Sequence, residues 1–88
     1  EVEMTRSRGY ARSVGEFTEG IMALALPIFS RDGEVIYIFN CSLMIQDCMA
    51  REYEIASAMI DTTAQIHRAI LARVPPGFPT SLPARTEV

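Results

Sequence analysis

The hydrophobic and polar positions of this chain are organised around two apolar runs with a short polar segment between them. The first run covers residues 21–29 and the second covers residues 34–43, and each has about the length of one strand. Between them, Asp32 and Gly33 are residue types that tolerate the positive φ angles of a tight turn. The pattern predicts a β-hairpin in a sheet that is buried on at least one face.

The two faces of this hairpin differ in character. The first run is almost wholly apolar, which predicts a strand covered on both faces, and Ala23 and Ala25 would leave recesses on one of them. In the second run one face is apolar throughout, whereas the other changes from isoleucine to Asn40 and Ser42. A buried Asn or Ser needs a hydrogen-bond partner, because an unpaired one costs about 1–3 kcal/mol. That partner is either a bound polar ligand or backbone at the strand end.

The remaining pattern predicts an α+β fold. Residues 1–9 are polar and suggest the tail of a preceding helix or a linker, residues 10–14 a short strand near a sheet edge, and residues 15–20 a loop. A long helix is expected from Asp47, as N-cap, to about Arg73, because apolar residues recur there with helical spacing. We therefore expect an antiparallel sheet of about three strands followed by one long C-terminal helix.

The end of the chain differs in composition from the rest. Pro75 and Pro76 stop the helical pattern, and two further prolines with polar residues follow them. We assign residues 1–74 to one folded portion of a domain and residues 75–88 to a Pro-rich flexible tail.

Charge argues against nucleic acid and membrane as direct partners. The net charge of the 88 residues is −3, and the basic residues are eight scattered arginines without any lysine. Phosphate neutralisation needs clustered basic side chains, and anionic lipid attracts polybasic runs. No apolar run reaches the roughly 18 residues of a membrane span.

Catalytic and metal-binding motifs are absent from the sequence. Cys41 and Cys48 fit no metal-ligand spacing, and His67 is the only histidine, so we expect no metal, no cofactor and two reduced cysteines in a cytoplasmic protein. Either cysteine with His67 could form a nucleophile pair, but no orienting third group accompanies them. The sequence predicts that the protein is not an enzyme.

The small size of the chain predicts incomplete burial. A domain of this length buries only a modest share of its apolar surface, and the sequence starts at Glu1 without an initiator methionine. We therefore expect a portion of a longer protein whose apolar surface is covered by further chain or by a partner subunit.

Several short motifs occur in a characteristic order. They are Arg8-Gly9-Tyr10-Ala11, Glu16-Phe17, Glu19-Gly20-Ile21, Ala23-Leu24-Ala25-Leu26-Pro27-Ile28-Phe29 and Asp32-Gly33-Glu34-Val35. This series resembles the C-terminal effector-binding domain of IclR-type bacterial transcriptional regulators. The resemblance extends over about residues 6–70, which would be the second half of that domain.

The resemblance implies a GAF-like sheet that binds a small metabolite and mediates oligomerisation, while a winged helix-turn-helix outside this chain binds DNA. Family members that bind small keto acids line their pocket with an Asp, a Cys and two Ser. By spacing, these positions are Ser13, Ala23, Asn40 and Ser42 here, and Ser42 alone matches. The family's Ser-Gly-Pro is replaced by Ser42-Leu43-Met44, so the same effector is not expected.

These substitutions suggest a changed ligand. The site would suit a neutral or anionic organic molecule, such as a carboxylate, resting against Met22, Leu24 and Ile38 and hydrogen-bonded by Asn40 and Ser42. The alternative is a purely structural module that dimerises or tetramerises and keeps a vestigial pocket. Neither reading gives the chain a membrane partner.

Overall fold

A computed structural model describes residues 2–5, 10–15 and 19–80. Within these residues, four strands form one antiparallel sheet in the order β1-β2-β3-β4, and one helix follows them. The elements are β1 (Val2–Thr5), β2 (Tyr10–Val14), β3 (Ile21–Phe29), β4 (Val35–Met44) and α1 (Ile45–Ile70). The predicted α+β fold is confirmed, although the sheet has four strands rather than about three.

The additional strand lies where a helix tail or linker was predicted. β1 pairs with β2 in an antiparallel register that sets Val2 opposite Ser13 and Thr5 opposite Tyr10. The prediction was wrong because so short and polar a segment carries little strand signal of its own. Its backbone becomes ordered by the ladder that β2 offers.

The predicted hairpin is confirmed, with a turn stabilised by Ser30. The Ser30 hydroxyl accepts hydrogen bonds from the amides of Asp32 and Glu34, at 3.1 and 3.2 Å. Gly33 adopts a φ of 87°, in the left-handed region that favours glycine. The Ser30 carbonyl accepts from the amides of Gly33 at 3.1 Å and Arg73 at 2.9 Å, so the turn is also joined to the chain beyond the helix.

The core lies between β3 and α1. Met22, Leu24 and Leu26 alternate along β3 and are at most 1% exposed, and they pack with residues of the helix. The helical members of this cluster are Cys48, Ala56, Met59 and Ile60. The other face of β3 is not covered by a second layer in the described part of the chain, so the prediction that both faces are covered is not met within these residues. An apolar sequence alone cannot distinguish one covered face from two when the second face consists of small residues.

The helix begins earlier than predicted. β4 continues directly into α1, with Met44 as the N-cap residue and no side-chain cap, and Asp47 lies in the first turn instead of capping it. The amide of Ile45 donates to the carbonyl of Gly20 at 2.9 Å. The loop backbone thereby satisfies one of the free N–H groups that a side-chain cap usually satisfies.

The helix also ends earlier, at Ile70 rather than near Arg73. Leu71 has a φ of 57°, which is the left-handed conformation, and the amide of Ala72 donates to the carbonyl of His67 at 2.9 Å. This reversal satisfies a terminal carbonyl before the prolines are reached. The proline signal therefore marks a boundary that lies a few residues beyond the true helix end.

The first residues after the helix contact the core. The ring of Phe78 packs edge-on against Phe29, with centroids 5.3 Å apart, and lies 5.8 Å from the ring of His67. The predicted flexible tail thus includes a residue with a defined packing position, while residues 81–88 lie outside the described residues. The domain boundary after residue 74 stays a prediction.

His67 is an integral part of this end of the core. It is 7% exposed, and its Nε2 accepts a hydrogen bond from the backbone amide of Phe29 at 3.0 Å. The strand pairing is irregular between Ile28 and Phe29. Burial lowers the pKa of the His67 imidazole below its ordinary value. The neutral ring is also the form that this hydrogen bond requires, because a protonated Nε2 cannot accept.

We predict that acidification destabilises the domain through His67. A base whose pKa is lower in the folded state contributes stability that is complete above the unfolded value of about 6.5 and is lost as the pH falls through the folded value. The free energy of unfolding, measured with urea, should fall by up to about 1.4 kcal/mol per pH unit between pH 6.5 and pH 5.5.

His67→Gln is the matched variant because it keeps an acceptor but cannot titrate. It should remove most of this pH dependence, whereas His67→Ala should lower stability by about 1–3 kcal/mol at pH 7.5 by leaving the Phe29 amide unpaired. Equal pH dependence in the wild type and His67→Gln would show that other groups are responsible.

Candidate functional site

The open face, meaning the face of the sheet opposite α1, carries small and polar side chains in register across three strands. The strand pairing sets Ser13 of β2 opposite Ala23 of β3, and Ala23 opposite Ser42 of β4. The next such row consists of Ala11, Ala25 and Asn40. Neighbouring strands are about 4.8 Å apart, so each row spans about 10 Å.

These rows form a shallow cavity, the sheet groove, of about 270 Å³. Its lining residues are Ala11, Arg12, Ser13, Ala23, Ala25, Ile38, Asn40 and Ser42. Alanine and serine extend little above the strand backbone, so the centre of the face is lower than its surroundings. The volume is slightly below the roughly 300–1,000 Å³ of typical ligand sites, and the groove is half open to solvent.

The structure brings all four sequence-predicted residues, Ser13, Ala23, Asn40 and Ser42, into the sheet groove. Ser42 lies opposite Ala23, whereas Asn40 pairs with Ala25, which the sequence analysis did not assign to the site. The pairing register between β3 and β4 is what reveals Ala25. Counting outward from the turn would have paired Ala25 with Phe39, because the pairing shifts by one residue between Ile28 and Phe29.

Two apolar residues predicted to contact the ligand lie on the face of the sheet that packs against α1, opposite the groove. Met22 and Leu24 are fully buried in the core against α1, while Ile38 does line the groove. The correction follows from strand geometry, because successive side chains point to opposite faces and both residues alternate with Ala23. The apolar contact in the groove is therefore made by Ile38 and the alanine methyl groups.

The chemistry of the sheet groove is that of a neutral hydrogen-bonding surface. Asn40 offers two N–H donors and an acceptor, and the hydroxyls of Ser13 and Ser42 each offer one donor and two acceptor lone pairs. Asn40 and Ser42 are solvent-exposed, so the expectation that they are buried and need a partner was wrong for this chain. Their side chains make no hydrogen bond to the described residues. They are available to a ligand.

The one charged lining residue, Arg12, is held by a partner on the helix side. Its guanidinium lies 3.2 Å from Glu52, and Glu52 also accepts a hydrogen bond from the hydroxyl of Tyr10. Both side chains of this ion pair are about three-quarters buried or more. Arg12 and Tyr10 therefore connect β2 to α1, and no acidic side chain of the described residues lines the groove.

Cys48 and His67 are too far apart for shared chemistry. Cys48 and His67 both lie in α1, on either side of a kink at Arg51, and the 16 residues from Arg51 to His67 (67 − 51) alone correspond to about 24 Å along a helix. Burial, and secondarily the nearby Glu52 carboxylate, raises the pKa of the Cys48 thiol, which disfavours the reactive thiolate. The predicted alternative of a Cys48–His67 pair is excluded by this geometry.

Two further classes of site, a metal centre and a membrane-spanning helix, are not found in the described ranges 2–5, 10–15 and 19–80. No group of three or more metal-ligating side chains comes together there. Nor does any helix of these ranges combine the length and the apolarity needed to cross a membrane.

The arrangement of a short strand, a loop, a hairpin and a long helix with a small-residue groove is matched by a known family. The family model described as the bacterial transcriptional regulator IclR C-terminal domain matches residues 1–68. The chain therefore belongs to the C-terminal domain family of IclR transcriptional regulators, which is a family of regulators and not of enzymes.

A solved structure agrees with this assignment. It is the crystal structure of a candidate IclR transcriptional regulator from Silicibacter sp. TM1040, with 26% identity and a TM-score of 0.74. The match covers 85% of this chain but only 30% of the solved chain, so the present chain spans less than a third of that relative. No curated protein matches the sequence.

We predict that Glu52→Ala destabilises the domain by about 1–2 kcal/mol, because it leaves the largely buried Arg12 guanidinium and the Tyr10 hydroxyl without this acceptor. Urea unfolding at neutral pH measures the change. Glu54→Ala is the matched control, because its pair with Arg51 is exposed and should contribute less than about 0.5 kcal/mol. Equal losses for the two variants would contradict this assignment.

Proposed function

We propose that this segment binds a small organic effector in the sheet groove and thereby contributes to the regulation of DNA binding. The observation that supports the proposal is the convergence of Ser13, Asn40 and Ser42 on small side chains of three adjacent strands. Such a surface offers directed hydrogen bonds beside apolar methyl groups, which is the usual composition of a small-molecule site. Membership in the IclR family supports the regulatory context.

The chemistry of the groove favours a ligand that is rich in acceptors, such as a carboxylate or carbonyl compound. The amide of Asn40 and the hydroxyls of Ser13 and Ser42 can all donate to it, and among the residues that the structure describes no acidic side chain lines the groove to repel it. Ile38 would contact its apolar part. Because the groove is half open, a second wall supplied by the rest of the domain would complete the site.

The mechanism we infer is a population shift. The effector would bind one arrangement of the regulator more tightly than another, and the affinity of a separate DNA-binding domain would change with the populations. The DNA-contacting part is not in this chain, and we place the regulator in the cytoplasm, where bacterial DNA is bound. The sheet groove would be the sensor in this scheme.

We predict that replacing both Asn40 and Ser42 with Ala abolishes ligand-induced stabilisation. A panel of small carboxylic acids at millimolar concentration, tested by thermal shift on a longer form that includes the first half of the domain, should raise the Tm of the wild type with at least one acid. The double variant should show no shift with that acid, because its hydrogen-bonding groups are lost.

Ser57→Ala serves as the control, because Ser57 lies on the helix and does not line the groove. Its ligand-induced shift should equal that of the wild type. An unchanged shift in the double variant would refute the sheet groove as the effector site.

A second proposed role is self-association, and the apolar exposure of β4 supports it. Four consecutive residues from Val35 to Ile38 are 47–70% exposed, and β4 is the last strand in the order of the described sheet. An edge strand of this length without a charged residue is prone to pair with another chain. We propose that this strand contributes to a dimer or tetramer.

We predict that Ile36→Lys shifts the protein toward the monomer, because a charge on an exposed edge opposes strand pairing. Sedimentation velocity across micromolar concentrations measures the species present. Met49→Lys is the control, since Met49 is about as exposed, at 51% against 47%, but lies on α1. A wild type that remains monomeric at high micromolar concentration would contradict the proposal.

A further inference from the structure

A second and larger cavity lies at the other end of the helix from β4. This terminal groove, of about 540 Å³, lies between the last turns of α1 and the returning segment, which we define as residues 72–80. Ala64, His67, Arg68 and Leu71 contribute from the helix side, and Phe78 contributes from the returning segment. It shares no lining residue with the sheet groove.

Leu71 occupies a conformation that leucine disfavours. Its φ of 57° belongs to the left-handed region, where a helix end usually places glycine, and its side chain is 68% exposed. Leucine here gains little from burial and strains the backbone, so the stability of the described fold does not account for it. Strained residues of this kind concentrate at binding sites.

Besides the Thr80 hydroxyl, which can donate or accept, the polar groups that line the terminal groove are the donors of His67 and Arg68. Because Nε2 of His67 accepts the Phe29 amide, the hydrogen of the neutral ring lies on Nδ1. His67 is 93% buried, and Nδ1 has no hydrogen-bond partner within the described residues. Arg68 is the only charged lining residue and forms no ion pair in the same part of the chain.

We propose that the terminal groove binds a monocarboxylate with an apolar body. The carboxylate is held by the Arg68 guanidinium and by the Nδ1–H group of His67, and the apolar body lies against Leu71, Val74 and Phe78. Charge complementarity supports this occupant, because among the described residues the groove is lined by one cation, Arg68, and by no acidic side chain. Its volume lies within the range of small-molecule sites.

The test uses octanoate as the probe and the 88-residue chain, with binding followed by NMR of the alanine and leucine methyl groups. Octanoate should shift the signals of Ala64, Ala72 and Leu71, whereas 1-octanol, which lacks the charge, should bind at least about fivefold more weakly. Shifts confined to Ala23 and Ala25 would overturn this proposal and favour the sheet groove. No shift at 10 mM, or equal binding of octanol, would also overturn it.

Three variants test whether Arg68 and Leu71 contribute to octanoate binding. Arg68→Gln should weaken octanoate binding about fivefold, while Arg31→Gln, an exposed arginine of the hairpin turn, should leave it unchanged. Leu71→Gly should raise the Tm by relieving the left-handed strain and at the same time weaken binding. A Leu71→Gly protein that gains stability and retains full affinity would show that Leu71 has no part in a site.

Discussion

The alternation of side chains along β3 is the constraint on which the rest of this structure depends. Met22, Leu24 and Leu26 fill the space under α1 and are essentially inaccessible to solvent. A shift of one residue in strand register would expose all three and bury small residues instead, so packing fixes the register with both neighbouring strands. The same constraint directs Ala23 and Ala25 to the open face. The core and the sheet groove are therefore two consequences of one sequence pattern.

The helix couples the two ends of the hairpin. At its start, β4 passes into α1 without a loop, and the amide of Ile45 donates a hydrogen bond to the carbonyl of Gly20. At its end, the Ser30 carbonyl accepts from Arg73, and His67 accepts from Phe29. Hydrogen bonds thus connect the hairpin turn, the end of the helix and the returning segment.

The described part of the chain forms two layers with one face uncovered. An uncovered face is unusual for a sheet with so apolar a central strand. It is consistent with the fact that this chain spans only 30% of its solved relative. The small side chains at the centre of this face leave a shallow groove, and exposed apolar residues of β4 flank it. In the IclR family context, such a face suits a site completed by the remainder of the domain.

The sequence by itself determined the hairpin, the limits of β2 and β3, and the identity of four groove residues. These features rest on local signals, namely the Asp32-Gly33 turn, the apolar runs and family motifs. Tertiary structure decided what has no local signal. These features are the pairing of β1 with β2, the covering of only one sheet face by α1, the pairing of Asn40 with Ala25 across the strands, and the burial of His67. Each of these depends on contacts between residues distant in the chain, so no pattern of neighbouring residues could reveal it.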